Sequence, residues 1–150
     1  MINVQKEDFS IEKEILKVRK EFKNIGAISS FIGTVRNKRL NEKLISMTLE
    51  HYPGMTEKMI KHIENIALKK WNLQGTNIIH RYGELFPGDQ IVLVITASEH
   101  RKEAVESCHF IIDWLKTKGP FWKYEKTKAK GYWVDAKESD LQEELKWQVN

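Results

Sequence analysis

Gly119-Pro120 separates two stretches of opposite backbone preference, and no other dipeptide constrains this chain as strongly. Upstream, Ala104, Cys108, Ile111, Ile112 and Leu115 recur at helical spacing; downstream, Phe121 to Tyr124 reads as extended. Proline pushes the residue before it out of the α region and glycine is the preferred helix terminator, so the helix must stop here. On an unbroken helix Lys116 and Lys123 would lie two turns apart, about 10 Å along the axis. The break instead lets Lys116 leave from a helix end and Lys123 from a strand, and the ammoniums can converge with Phe121 and Trp122 as walls. A lysine in a partly dry aromatic pocket loses hydration and can donate a proton, accept one or act as a nucleophile. Equally, Lys116 and Lys118 can simply complement the negative end of the helix dipole, with Lys123 on a solvated strand.

The other elements follow from periodicity. Ser10 caps a helix carrying Ile11, Ile15, Val18 and Phe22. Residues 26–35 read as a buried strand that delivers Arg36 at its end, and Asn37 to Asn41 as a mobile basic loop. Leu44 to Tyr52 alternates, with Ile45, Met47 and Leu49 on one face. A second helix takes its stripe from Met55, Met59, Ile63, Ile66 and Ala67 and ends near Trp71. Asn77 to Tyr82 and Gln90 to Ala97 are strands around a turn at Pro87-Gly88-Asp89, and Ser98 is the expected cap of the helix that ends at Gly119. Phe121 to Tyr124 and Tyr132 to Val134 form a hairpin, and Ser139-Asp140-Leu141-Gln142 opens a C-terminal helix with Leu141, Leu145 and Trp147. Strands and helices are intermixed and no Pro-, Gly- or Ser-rich linker divides them. The expectation is one α+β domain over residues 1–150, a sheet covered by helices on one side with a small second lobe.

Composition narrows the chemistry. Lysines and arginines number 25 against 21 acids, a net +4, which suits an anionic ligand or acidic partner and falls short of a polybasic nucleic-acid tail. The single cysteine, Cys108, excludes an intrachain disulfide framework, fits a reducing compartment, and sits on a helix stripe as packing material. The five histidines (His51, His62, His80, His100 and His109) include no pair at four-residue spacing, so a metal site is not expected. His80 reads as a strand residue with an ordinary hydrogen bond. Neither a glycine-rich phosphate loop nor a nucleophile-elbow serine is present. An N-terminus without an apolar signal core, and the lack of an apolar run long enough for a bilayer, point to a cytoplasmic protein with no membrane association.

Two stretches could bind anions. Ala97-Ser98-Glu99-His100-Arg101 takes a buried strand into a helix N-terminus, where unpaired amides, the dipole, His100 and Arg101 would hold a phosphate; Glu99 would also satisfy the same dipole as plain helix-start chemistry. Aromatics and lysines interleave through the last third, a composition that can stack single-stranded nucleic acid or one flat heterocycle bearing a phosphate. The modest net charge favours the heterocycle.

Four segments, in order and spacing, carry a resemblance. They are Leu49-Glu50-His51-Tyr52-Pro53-Gly54-Met55-Thr56-Glu57, His80-Arg81-Tyr82-Gly83-Glu84-Leu85 with Pro87-Gly88-Asp89, Ser98-Glu99-His100-Arg101, and Leu115 to Lys123. Together they resemble the large, catalytic subunits of molybdopterin synthases, from about the strand before Arg36 to Trp147. The resemblance implies an α/β hammerhead-type fold with an added antiparallel β lobe. It also implies a homodimer within a heterotetramer, with a small ubiquitin-like sulfur-carrier subunit at each end. The implied activity converts cyclic pyranopterin monophosphate (precursor Z) to molybdopterin by two sulfur transfers from the carrier's C-terminal thiocarboxylate, without a metal or other cofactor. By position, Lys116 and Lys123 match the family's essential lysines, and Arg36, His100 and Arg101 its anionic substrate pocket. Lys137 falls where family members often carry an arginine contributed from the neighbouring protomer, and a lysine cannot make the forked phosphate contact. Two other readings remain at this point: a non-catalytic module for an acidic or ubiquitin-like tail, and a single-strand RNA binder.

Overall fold

The computed structural model describes residues 1–135, 142 and 145–147. Among the described residues nine strands and three helices run in the order β1 (Ile2–Gln5), α1 (Ile11–Glu21), β2 (Ala27–Thr34), β3 (Lys38–Arg39), β4 (Glu42–His51), α2 (Met55–Lys70), β5 (Gly75–Arg81), β6 (Gly83–Leu85), β7 (Gln90–Ser98), α3 (Arg101–Thr117), β8 (Phe121–Thr127) and β9 (Gly131–Val134). They build two sheets. A four-stranded sheet has the order β1-β5-β7-β2, with β1 parallel to β5 and the other neighbours antiparallel. A five-stranded antiparallel sheet has the order β3-β4-β8-β9, with β6 also paired to β4. This is the α+β, hammerhead-type architecture with an added antiparallel lobe.

The first sheet is buried because β7 supplies apolar side chains to both faces. Val94, with Ile78 of β5, packs under Ile60, Ile63 and Ala67 of α2 and Cys108 and Ile111 of α3. Leu93, Ile95 and Ala97, with Ile79, pack against Val18 of α1 and Phe9. Helices therefore cover both faces of this sheet, where one covered side was expected: the amphipathic α1 lies opposite α2 and α3. Leu44, Met47, Leu49 and Leu85 form a third cluster beneath the antiparallel lobe with Val35 and Ile91.

Several local readings shift by a residue or two, each for a physical reason. Pairing of β4 with β8 slips between Leu44 and Ser46, so Ile45 is the extra residue of a bulge and is exposed while Leu44 and Ser46 are buried. The buried stripe of α2 is Thr56, Ile60, Ile63, Glu64 and Ala67, with Met55 and Ile66 exposed. Glu64 can sit there because Lys61 (2.6 Å), the Met1 ammonium (3.1 Å) and the Thr76 hydroxyl satisfy its carboxylate. Lys38 and Arg39 form β3 and residues 40–41 the tight turn of the β3–β4 hairpin, with Leu40 at φ 52°, where a mobile loop was expected over residues 37–41. β2 is half-buried where a buried strand was expected, since it stands last in its sheet. Ser98 ends β7 in the core and does not cap α3; His100 occupies the cap position without a side-chain cap bond. Of the expected C-terminal helix, residues 139–141 lie outside the described residues. Trp147 is described: its indole N–H donates to Asp113 at 2.8 Å and its ring packs edge-on against Trp71 and Phe110.

Candidate active site

The site begins where α3 ends. The Trp114 carbonyl accepts hydrogen bonds from the Lys118 and Gly119 amides at 2.8 and 3.1 Å, closing the last turn. Gly119 is required by space and not by its φ angle, because a Cβ there would collide with the Leu115 carbonyl. Two residues later Phe121 opens β8, whose register against β4 pairs Phe121 with His51, Lys123 with Leu49 and Glu125 with Met47. Alternation then turns Phe121, Lys123 and Glu125 to the inner face of the lobe and Trp122, Tyr124 and Lys126 to the outer face. Trp122 is exposed and walls nothing, which corrects its expected role beside Phe121. The aromatics and lysines that interleave in sequence are thus split between two faces of a strand.

Between the two sheets and the end of α3 lies a cavity of about 630 Å³. Lys116, Lys123 and Arg36 all line it, with Phe31 and Phe121 as aromatic walls and Glu125 and Asp135 as its acidic members. Three cations brought from a helix end, a strand interior and the end of β2 make it suited to an anionic ligand. Glu125 does not cancel them, since Arg39 of the β3–β4 hairpin reaches it at 3.0 Å and stacks over Tyr132 at 4.3 Å.

His80 of β5 also lines the cavity, a placement the sequence reading did not anticipate. Its ring lies flat on Phe121, centroids 3.5 Å apart at 13°, so a residue of the first sheet is stacked on one of the second. The expected hydrogen bond is present, Nδ1–H donating to the Arg81 carbonyl at 2.9 Å. Burial pushes the imidazole pKa down to about 3, against the pull of that carbonyl and with the help of positive charge on Lys123 and His51. A histidine in the otherwise apolar run Ile78-Ile79-His80 was the one available signal. His51 itself bonds Thr56 at 3.1 Å and packs against Tyr82, centroids 4.5 Å apart and rings tilted by 52°.

His100 and Arg101 are not brought to this cavity within one chain. They stand exposed at the N-terminal end of α3, fifteen residues before Lys116, about 22 Å along the axis. Lys137 lies outside the described residues. Cys108 is buried, its thiol directed to the Val94 carbonyl at 3.8 Å, and burial pushes its pKa up, so it is packing material. Among the described residues no group of three or more His, Cys, Asp or Glu side chains is placed to hold a metal ion, and no helix is long and apolar enough to cross a membrane.

Two sheets and a helix end closing over an aromatic-walled cavity lined by three cations define an α+β protein with a pocket of ligand-binding type. The model of the family described as MoaE protein matches residues 4–118, and the chain belongs to that family. It is 44% identical over 147 residues to the molybdopterin synthase catalytic subunit of Vibrio cholerae, covering 98% of this chain and 97% of that one. It is 49% identical over 122 residues to the molybdopterin synthase catalytic subunit of Escherichia coli, covering 81% of each. The solved molybdopterin biosynthesis MoaE protein from Burkholderia ambifaria superposes with a TM-score of 0.86 at 42% identity, over 100% of this chain and 99% of that one.

Proposed function

We propose that this chain is the catalytic subunit of a molybdopterin synthase. It moves sulfur from the thiocarboxylated C-terminus of a small ubiquitin-like carrier to cyclic pyranopterin monophosphate, building the dithiolene of molybdopterin. The observation that carries the reading is the convergence of Lys116, Lys123 and Arg36 on one cavity: the first two from α3 and β8 on either side of the Gly119-Pro120 break, the third from just beyond β2.

The chemistry asks for these charges. For sulfur to pass from a thiocarboxylate to a substrate carbon, the carbon–sulfur bond forms first, and the carbon–oxygen bond it replaces breaks with the oxygen leaving as water. The acyl–sulfur bond then breaks as water adds to the carbonyl carbon, and the carrier leaves as a carboxylate. The tetrahedral species on that path carries an oxyanion, and an ammonium at the open end of α3 stabilises it more than it stabilises the flat acyl group. Lys116, exposed at the mouth, takes this role as the carrier tail enters. Lys123, half-buried further in, orients the pterin side chain or exchanges its proton. Arg36 offers a planar fork to the phosphate. His100, Arg101 and Lys137 join the phosphate site across the homodimer, from the second copy, because in one chain the first two face away at the far end of α3.

The working assembly is a homodimer carrying one carrier subunit at each end, and residues 1–150 act as one domain. The reduced Cys108 and the chemistry of a labile thiocarboxylate suit the cytoplasm. The test is a single turnover with precursor Z and thiocarboxylated carrier. Formation of a dithiolene-bearing pterin supports the reading; folded protein and competent carrier with no such product overturn it.

A further inference from the structure

The ring of His80 is held both on one face and at one nitrogen. Phe121 covers one face at 3.5 Å, and Nδ1–H is committed to the Arg81 carbonyl at 2.9 Å. A carbonyl can only accept, so Nδ1 carries the proton and Nε2 is left with its lone pair. β5 holds this ring from the first sheet, while Phe121 and Lys123 descend from the second, two residues apart on the inner face of β8. His80 and Lys123 line the same cavity.

We propose that His80 is a positioning residue of this cavity, whose Nε2 accepts a hydrogen bond from the Lys123 ammonium and aims it at the substrate. The role rests on the sulfur-transfer reading for its consequence in turnover, but not for the hydrogen bond itself. Burial and the neighbouring charges keep the imidazole neutral at any working pH, so it cannot relay a proton; a neutral, rigid acceptor is what remains. The bridge between the sheets gives the arrangement its use. Lys123 lies on the strand that follows the helix break, and an acceptor anchored in the opposite sheet fixes the ammonium against the cavity floor. A misplacement of about 1 Å in a reacting group can cost about a hundredfold in rate.

Two variants separate this role from packing. His80→Phe keeps the aromatic stack and the volume and removes the acceptor; His80→Gln keeps an acceptor near the Nε2 position and gives up the stack. The first measurement needs no substrate: limited acylation of lysines with an amine-selective reagent, read peptide by peptide by mass spectrometry, with Lys118 as internal reference. Loss of the acceptor frees the amine form, so Lys123 in His80→Phe should label about tenfold faster relative to Lys118, the scale of one hydrogen bond to a charged group. His80→Gln should return it most of the way. The second is sulfur transfer: His80→Phe should lower kcat about tenfold or more with KM for the pterin within about twofold, and His80→Gln should recover most of kcat. Unchanged Lys123 labelling in a folded His80→Phe protein overturns the hydrogen bond, as does an equal loss in both variants. Altered labelling with a wild-type protein that transfers no sulfur would keep the hydrogen bond and sink the enzyme reading instead.

Discussion

His80 and Phe121 stack at 3.5 Å and 13° across the gap between two sheets, and this contact joins the mixed sheet to the strand that carries Lys123. Phe121→Ala removes half-buried aromatic area and the joint together. It should cost about 2–3 kcal/mol in urea unfolding, less than for a fully buried phenylalanine, and should reduce sulfur transfer by more than that loss of folded protein explains.

Gly119 is held within touching distance of the Leu115 carbonyl. A methyl group there meets backbone, which cannot swing aside, so Gly119→Ala should destabilise by about 1–3 kcal/mol and turn the last helical turn relative to β8. The sharper readout is activity. If the angle between α3 and β8 sets the spacing of Lys116 and Lys123, the variant should lose more than tenfold in kcat at a temperature where it remains folded.

Glu64 gives the fold an acid-sensitive point. Burial alone would raise its pKa, but Lys61, Thr76 and the Met1 ammonium outweigh that and hold it below the ordinary 4.5. A depressed folded-state pKa means that the carboxylate's stabilisation is fully present above the unfolded value. It is lost as pH falls below 4.5 through the folded pKa. Glu64→Gln should therefore be less stable than the parent by about 2 kcal/mol at pH 7, with the gap closing as the pH drops below 4.5. Urea midpoints measured across that range check both the size and the sign; a gap that widens in acid would contradict it.

Cys108 tests where the sulfur comes from. Its thiol is 3% exposed and raised in pKa by burial, so a thiol reagent should reach it only on unfolding. Cys108→Ala should bring a modest loss of stability, about 1 kcal/mol for a small cavity, and leave sulfur transfer unchanged. A variant that folds but transfers no sulfur would make the cysteine a carrier in its own right.

The helix break and its two lysines were legible in the sequence because everything that matters there is local: an apolar stripe, a glycine, a proline, and alternation in the strand beyond. The same locality made β7 readable as a strand. What escaped was set by pairing between distant residues. Nothing near Ile45 announces that β4 carries a bulge, since the slip belongs to its register against β8. Short β1 and β6 exist only because β5 and β4 offer edges to pair with. His80 looked ordinary because its partner ring is forty-one positions away on the other sheet. His100 and Arg101 match a family pattern by position, and helix length alone separates them from the cavity in one chain.

The account depends most directly on Lys116. The decisive measurement is the single-turnover rate of sulfur transfer to precursor Z by Lys116→Ala, with carrier binding measured on the same preparation. The geometry predicts a folded protein that still binds carrier and transfers sulfur about a hundredfold more slowly, the scale of losing one stabilising donor at a developing oxyanion. A near-normal rate would return Lys116 to the surface, as a lysine that merely closes a helix.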